Sequence, residues 1–350
     1  MTAIEAAKNS GARRGLTNGL IIGPIIGLCA LLGVSAPAKA EMEKTSLAQT
    51  PAIMPFLAAY IAEDANIWRD NGLDVKVINL DGVATVNAVI AGSADFALSS
   101  SSALTRAAAH GQRLLALGSL NNQSGQVTII RKDLAEAAHF DPAAPLAVRA
   151  QILKGHTVSG GSVGSVADVF LKSVARAGNV AQSDFHNPPL NASELIAAFS
   201  RGAVDGFSYS LPYPQQLVAE GKAVVVADGT TGELKEFLPL ATGLILTRPQ
   251  ICTERRSVCE KMGHSFMLAI DFLLHRHDDA IAILKKRFPT VSEEVVKSCF
   301  DAIIRITNSP PAVTLVGLEN GDRINAESGF LKPEDRVPSY DGLFTNEYLR

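Results

Sequence analysis

The chain has 350 residues, 47% of them apolar and 19% charged, with a formal net charge of −3. That length buries sizeable cores, and that balance excludes extended disorder. The absence of a basic field excludes a nucleic-acid partner, and aromatics at 6%, with Trp68 the single tryptophan, argue against stacking platforms.

Arg13 and Arg14 precede a mostly apolar run over residues 20–34, followed by "SAPAKA". A basic start, an apolar middle and an A-x-A ending at Ala40 make a secretory signal, so residues 1–40 read as a leader cleaved before Glu41. The run is broken by Pro24 and short for a membrane span; an uncleaved anchor is the alternative. Cys29 follows Leu28 rather than the small residue a lipid-attachment site needs. The remaining chain carries 28 basic and 34 acidic groups, a net charge of −6. Export permits disulfides, and "CTERRSVC" could close a small loop between Cys252 and Cys259, although spacing alone does not establish the Cα approach. Cys299, in a helical pattern, reads as a buried free thiol.

Beyond the leader, strand and helix patterns alternate, which predicts an α/β fold with parallel sheets. "KTSLA" reads as a strand, and Thr50 as the cap of a helix whose first position is Pro51. "DVKVINL" is a second strand, "ATVNAVIAG" a helix, and "RLLALGSL" and "VTIIRKD" further strands. The pattern restarts with strand "HTVSG", helices "VADVFLKSVARAG" and "SELIAAFSRG", and strands "GFSYS" and "AVVVAD". After "TGLILTRPQ" the chain reads as helical from about Thr253 through Asn308, with a polar C-terminal tail.

Two stretches repeat one another: "GSADFALSSSSALTRAAAHG" from Gly92 and "GAVDGFSYSLPYPQQLVAEG" from Gly202. Each follows an amphipathic helix, begins G-x-x-D, runs through a short serine-containing strand into a helix, and closes on glycine at the same spacing. Gly92 and Gly202 suit the left-handed position that ends a helix, and Asp95 and Asp205 read as acceptors for turn N–H groups. Two copies predict two lobes of similar build. In such sheets ligands sit beyond the carboxyl ends of strands, where helices begin and N–H groups lack partners. Four serines, Ser99 to Ser102, exceed what one cap needs, so at least one is expected to face a ligand. In the second half "GGSVGSVAD" offers Gly160, Gly161, Ser162 and Ser165, with Ser165-x-x-Asp168 as a capping box. It lacks the lysine of a Walker loop. Tyr209, Ser210 and Tyr213 would border the same cleft.

The stretches "AAYIAEDANIWRDNGLDVKVINLDG", "VNAVIAGSADFALSSSSALTRAAAHG" and "ILKGHTVSGGSVGSVADVFLKSVARAG" resemble the nitrate/sulfonate/taurine-type solute-binding proteins of ABC importers. The resemblance implies a two-lobed type II periplasmic binding fold, each lobe a mainly parallel sheet flanked by helices, joined by crossing strands that "VTIIRKD" and "GLILTRPQ" match. By that likeness residues 41–126 and 248–350 form lobe 1 and residues 127–247 lobe 2. The likeness puts the ligand against Thr50, Pro51 and Ala52, Ser100, Ser101 and Ser102, Ser162, Val163, Gly164 and Ser165, and Tyr209, Ser210 and Tyr213. It implies a periplasmic monomer without a cofactor that closes on a sulfonate, nitrate, carboxylate or heterocycle and presents it to an inner-membrane permease. The "SSSS" run replaces the more usual glycine- and proline-containing loop of that family.

Two other classes compete. Relatives on the same scaffold include a desulfinase with a cysteine nucleophile in the first strand–helix loop and a thiamine-pyrimidine synthase using histidine and a cysteine cluster. Here that loop, "AQTPAI", has no cysteine. A ligand-sensing partner of a membrane receptor is the third class. "HRHDD", from His275, reads as a solvated helix end rather than a metal site, Arg106 as a surface arginine, and Trp68 as packing.

Overall fold

A computed structural model describes residues 41–350; the leader expected at residues 1–40 lies outside the described residues. The strands are β1 (Glu43–Gln49), β2 (Leu73–Asn79), β3 (Phe96–Ser100), β4 (Leu115–Asn121), β5 (Gln126–Arg131), β6 (Val158–Ser159), β7 (Gly206–Ser210), β8 (Ala223–Asp228) and β9 (Thr242–Thr247). Among the described residues they form two sheets, ordered β2-β1-β3-β9-β4 and β6-β7-β5-β8. In each sheet one strand runs against the rest: β9 is antiparallel to β3 and β4, and β5 to β7 and β8. The remaining strands share a direction, giving the mainly parallel, two-lobed type II periplasmic binding fold.

The reversed strands are the ones that cross between lobes. β4 leads through residues 122–125 into β5 of the second sheet, and β8 leads through residues 229–241 back into β9. One expected boundary needs correction. Residues 242–247 were expected in lobe 2, yet β9 is hydrogen-bonded between β3 and β4 in the first sheet. Its sequence, TGLILT, is buried throughout, because a central strand covered on both faces needs an unbroken apolar run.

The repeat is structural. Gly92 and Gly202 both have φ above +70°, and Gly111 and Gly221 end the following helices in the same left-handed state. The aspartates act across strands rather than within their own turns. Asp95 accepts from Thr45 Oγ1 (2.8 Å) and Arg255, and Asp205 accepts from the Thr157 amide (2.8 Å). Both stand where strands begin.

The first helix departs from expectation. Ala52 adopts φ +51°, so the chain turns after Pro51, and the helix begins with a 3-10 turn at Met54–Phe56 before Leu57–Asp64. Leu211 holds that turn, its carbonyl accepting from the Met54 amide (2.9 Å).

The C-terminal tail is not a loose polar segment. The Leu315–Glu327 helix packs on the Ser101–Ala109 helix so closely that a Cβ on Gly321 would lie 2.2 Å from Ser101 Oγ. Beyond it Phe344 bridges to Ala116, and Tyr348 is buried.

Trp68 is buried edge-on against Phe266, and Cys299 is a free buried thiol. Cys252 and Cys259 form a disulfide, with Cα atoms 5.5 Å apart, tying Pro249–Glu254 to Arg256–His275. Closing so short a loop removes about 2–3 kcal/mol of unfolded-state freedom. Replacing both cysteines by serine should lower the unfolding free energy in urea by about that amount; unchanged stability would show that packing alone holds the two helices.

Candidate functional site

The two sheets present their edges to one cavity, which encloses about 790 Å³, its open mouth included. Its lining follows the topology. Thr50 follows β1, Asp81 and Gly82 follow β2, Ser99 and Ser100 end β3, and Asn121 ends β4. From the second sheet, Gly161, Ser162 and Ser165 follow β6, and Tyr209 and Ser210 end β7. The reversed strands join at their starts, through Gln126 of β5 and Thr242 of β9. A reversed strand begins at the edge where its neighbours end, so strands of both directions contribute there, although β8, which ends at the same edge, does not.

The serine run divides its labour. Ser99 and Ser100 line the cavity, and Ser100 also caps the following helix, accepting from the Ala103 amide (3.3 Å). Ser101 and Ser102 do not line it. Ser101 lies under Gly321, its buried hydroxyl without a partner, and its amide donates to the Ala241 carbonyl (2.9 Å). Ser102 Oγ sits 2.9 Å from Ser100 Oγ, while its carbonyl accepts from Asn325 Nδ2 (2.7 Å). The Ser101 hydroxyl therefore lies at a helix contact, where a small side chain is needed, while Ser102 borders an adjoining hollow. The sequence carries no mark of that crossing helix.

The other expected residues separate likewise. Thr50, Ser162, Ser165, Tyr209 and Ser210 line the cavity. Pro51 and Ala52 do not, because the left-handed turn at Ala52 carries them outward. Val163 is 66% exposed and Gly164 faces Arg106, so neither reaches the interior. Tyr213 stands behind Tyr209, ring centroids 5.8 Å apart. Asp81, Thr85, Asn121, Gln126 and Thr242 were not expected; each is a single polar residue near a strand end or, for Thr85, in the first turn of the Ala84–Ile90 helix, and carries no local pattern.

Ser165 caps the Val166–Ala177 helix, its hydroxyl accepting from the Asp168 amide (3.2 Å). The expected reciprocal half of a capping box is absent. Asp168 instead accepts from the Gly164 amide (2.8 Å) and from Asn187 (2.8 Å), bracing the loop. Gly160 is required here, since a Cβ would fall 2.6 Å from the Asp168 Cα. The close approach made by this glycine is to a helix.

Contacts cross from lobe to lobe. Gly82 packs on Ser165 and Ser162, so these loops meet over the cavity. Arg106 is no surface arginine. Its Nη2 donates to the Gly164 carbonyl (2.7 Å), its Nη1 to Asn325 Oδ1 (3.2 Å), and its guanidinium stacks 5.1 Å from the Phe330 ring. Burial lowers its pKa, with nearby Asp168 opposing.

A cavity fed by both sheets of a two-lobed molecule is the architecture of the type II periplasmic binding fold. The NMT1/THI5-like family model matches residues 54–261, more than half of the chain, and the chain belongs to that family. A comparison with curated proteins finds no match. Among solved structures, one from Bordetella bronchiseptica RB50 is similar at 17% identity, with a TM-score of 0.73 over 88% of this chain and 96% of that one. The alkanesulfonate-binding protein SsuA from Xanthomonas axonopodis pv. citri, bound to MOPS, is similar at 17% identity (TM-score 0.66; 85% and 97% covered). A DszB mutant in complex with biphenyl-2-sulfinic acid is similar at 15% (TM-score 0.58; 88% and 97% covered). At such identities the likeness is one of fold.

Burial raises the pKa of all five tyrosines, Tyr60 and Tyr340 to about 12, and Asp81 adds to the shift at Tyr209 and Tyr213. A folded pKa above the unfolded value means that the unfolded chain releases its protons first, so stability falls as pH rises above about 10. An ultraviolet titration should show the folded protein well under half ionised at about pH 10, where unfolded tyrosine is half ionised. Half-ionised tyrosines in the folded state at that pH would contradict the enclosed setting of these rings.

Proposed function

We propose that the protein is an exported receptor that binds a small polar compound between its lobes and delivers it, closed, to an inner-membrane ABC importer. One observation carries the reading: hydroxyl, amide and helix-start groups from both sheets converge on a single cavity that interlobe contacts close over. The Val166–Ala177 helix starts at the cavity wall, and its first N–H groups have no intrahelical partner. A ligand touching both lobes is bound better closed than open, and only that difference can drive closure. The solved SsuA structure, whose name gives it an alkanesulfonate and which holds MOPS, supports a small-molecule cargo. The leader reading at residues 1–40 supports export to the periplasm.

A catalytic reading has less support. The turn after β1 carries Thr50 and no cysteine, Cys252 and Cys259 are bonded to each other, and burial pushes the Cys299 thiol up to about 12.

Fluorimetric unfolding with a panel of small solutes tests the reading. A true ligand at one hundred times its Kd should stabilise the protein by about 2.7 kcal/mol and reduce its radius of gyration in solution scattering. Ser162→Ala should then weaken binding by about 1 kcal/mol, whereas Ser101→Ala should leave it unchanged. Loss of binding in the Ser101 variant with none in the Ser162 variant would invert the site proposed here.

Arg106 should act at a distance from the ligand. Removing a buried charged hydrogen bond costs about 1.5–3 kcal/mol, here from the closed state alone. Arg106→Ala should therefore raise the apparent Kd about tenfold or more and increase the radius of gyration of the ligand-free protein. An unaltered Kd and radius would show that closure does not use this contact.

A further inference from the structure

We propose that the cargo is an uncharged or cationic compound with an apolar, ring-like body and at least one N–H or O–H donor, and that simple anions are disfavoured. This inference rests on the cleft being the solute site.

Among the described residues the cavity wall holds no lysine, arginine or histidine, and Asp81 is its one charged residue. The neighbouring cations are already engaged. Arg106 is held by the Gly164 carbonyl, Asn325 and Phe330, and Lys172 lies 3.3 Å from Asp168 and 3.8 Å from the centre of the Phe330 ring. An anion entering here would meet a carboxylate and no neutralising side chain. One helix start is also spent, since the Ser101 amide donates to Ala241. The start of the Val166–Ala177 helix also reaches the cavity, its Asp168 amide capped by Ser165, and its fractional charge suits the oxygen or ring nitrogen of a neutral ligand.

Gln126 supplies the second observation. It is 7% exposed, its Nε2 donates to Ser210 Oγ (2.5 Å), and its buried Oε1 has no partner. Gln126 lines the cavity, and a donor on the ligand would give this carbonyl the partner it lacks. The rest of the wall is largely apolar, with Ile53, Phe56, Leu98 and Leu190. A second hollow shares Ser100, Val166 and Thr242 with the first and is lined by Phe170, Phe237 and Ile324, so the apolar surface continues beyond the first.

Isothermal titration with two matched series tests this: benzene and naphthalene, each carrying sulfonate, carboxylate, carboxamide or amidinium. The carboxamide or the amidinium should bind at least tenfold tighter than the sulfonate of the same ring. Asp81 is exposed, so Asp81→Asn should fold normally. It should cut the affinity of the amidinium relative to the carboxamide of the same ring about tenfold. Tightest binding by a sulfonate or carboxylate would overturn the ligand class and leave the cleft reading standing. Binding by no member of either series would count against both readings.

Discussion

The two crossings of the chain set everything else. Each delivers a strand into the middle of the next sheet, and that strand must run against its neighbours because it arrives from the opposite lobe. β9 enters between β3 and β4, and β5 between β7 and β8. Central strands need buried, apolar sequence, and both have it. The consequence for function is geometric. The end at which a reversed strand begins is the end at which its neighbours finish, so both sheets turn the same functional edge toward the gap. Gln126 and Thr242, first residues of the two reversed strands, stand there for that reason.

Much of this architecture was legible before any coordinates. The repeated G-x-x-D stretches signalled two lobes because each glycine must end a helix in a left-handed state, a local demand that leaves a local mark. Caps were legible for the same reason. Long-range contacts were not. Nothing near Ser101 announces that a helix two hundred residues later will press Gly321 against it, and nothing near Ala52 announces a turn held by Leu211. At least one serine of the run was expected to face a ligand, and Ser99 and Ser100 line the cavity, whereas Ser101 lets two helices touch. Asn121, Gln126 and Thr242 escaped notice because each is one ordinary polar residue made significant only by its place at a strand end.

The distribution of charge follows from the same packing. Buried cations in the core of the closed molecule are consumed by protein partners: Arg106 by Gly164 and Asn325, Arg149 by Glu233 and the Val226 carbonyl. Burying an arginine demands such partners, because an unpaired buried charge is costly. Once so committed, none is free to face the cavity, and the polarity of the site comes from hydroxyls, amides and one carboxylate.

In the receptor proposed here, closure would divide its free energy between the protein and its guest. Moving a two-state protein from one part in a hundred closed to ninety-nine takes about 5.5 kcal/mol. The Arg106 contact, worth about 1.5–3 kcal/mol as a charged hydrogen bond, cannot supply that alone. It can set the resting bias, so that a ligand has less to contribute. A stronger latch would close the cleft empty and waste the signal that closure carries; a weaker one would draw closure from ligand contacts that otherwise appear as affinity. Aiming the arginine at a backbone carbonyl rather than at Asp168, two residues into the next helix, keeps the contact in the intermediate range. Asp168 instead braces the loop that holds that carbonyl in place.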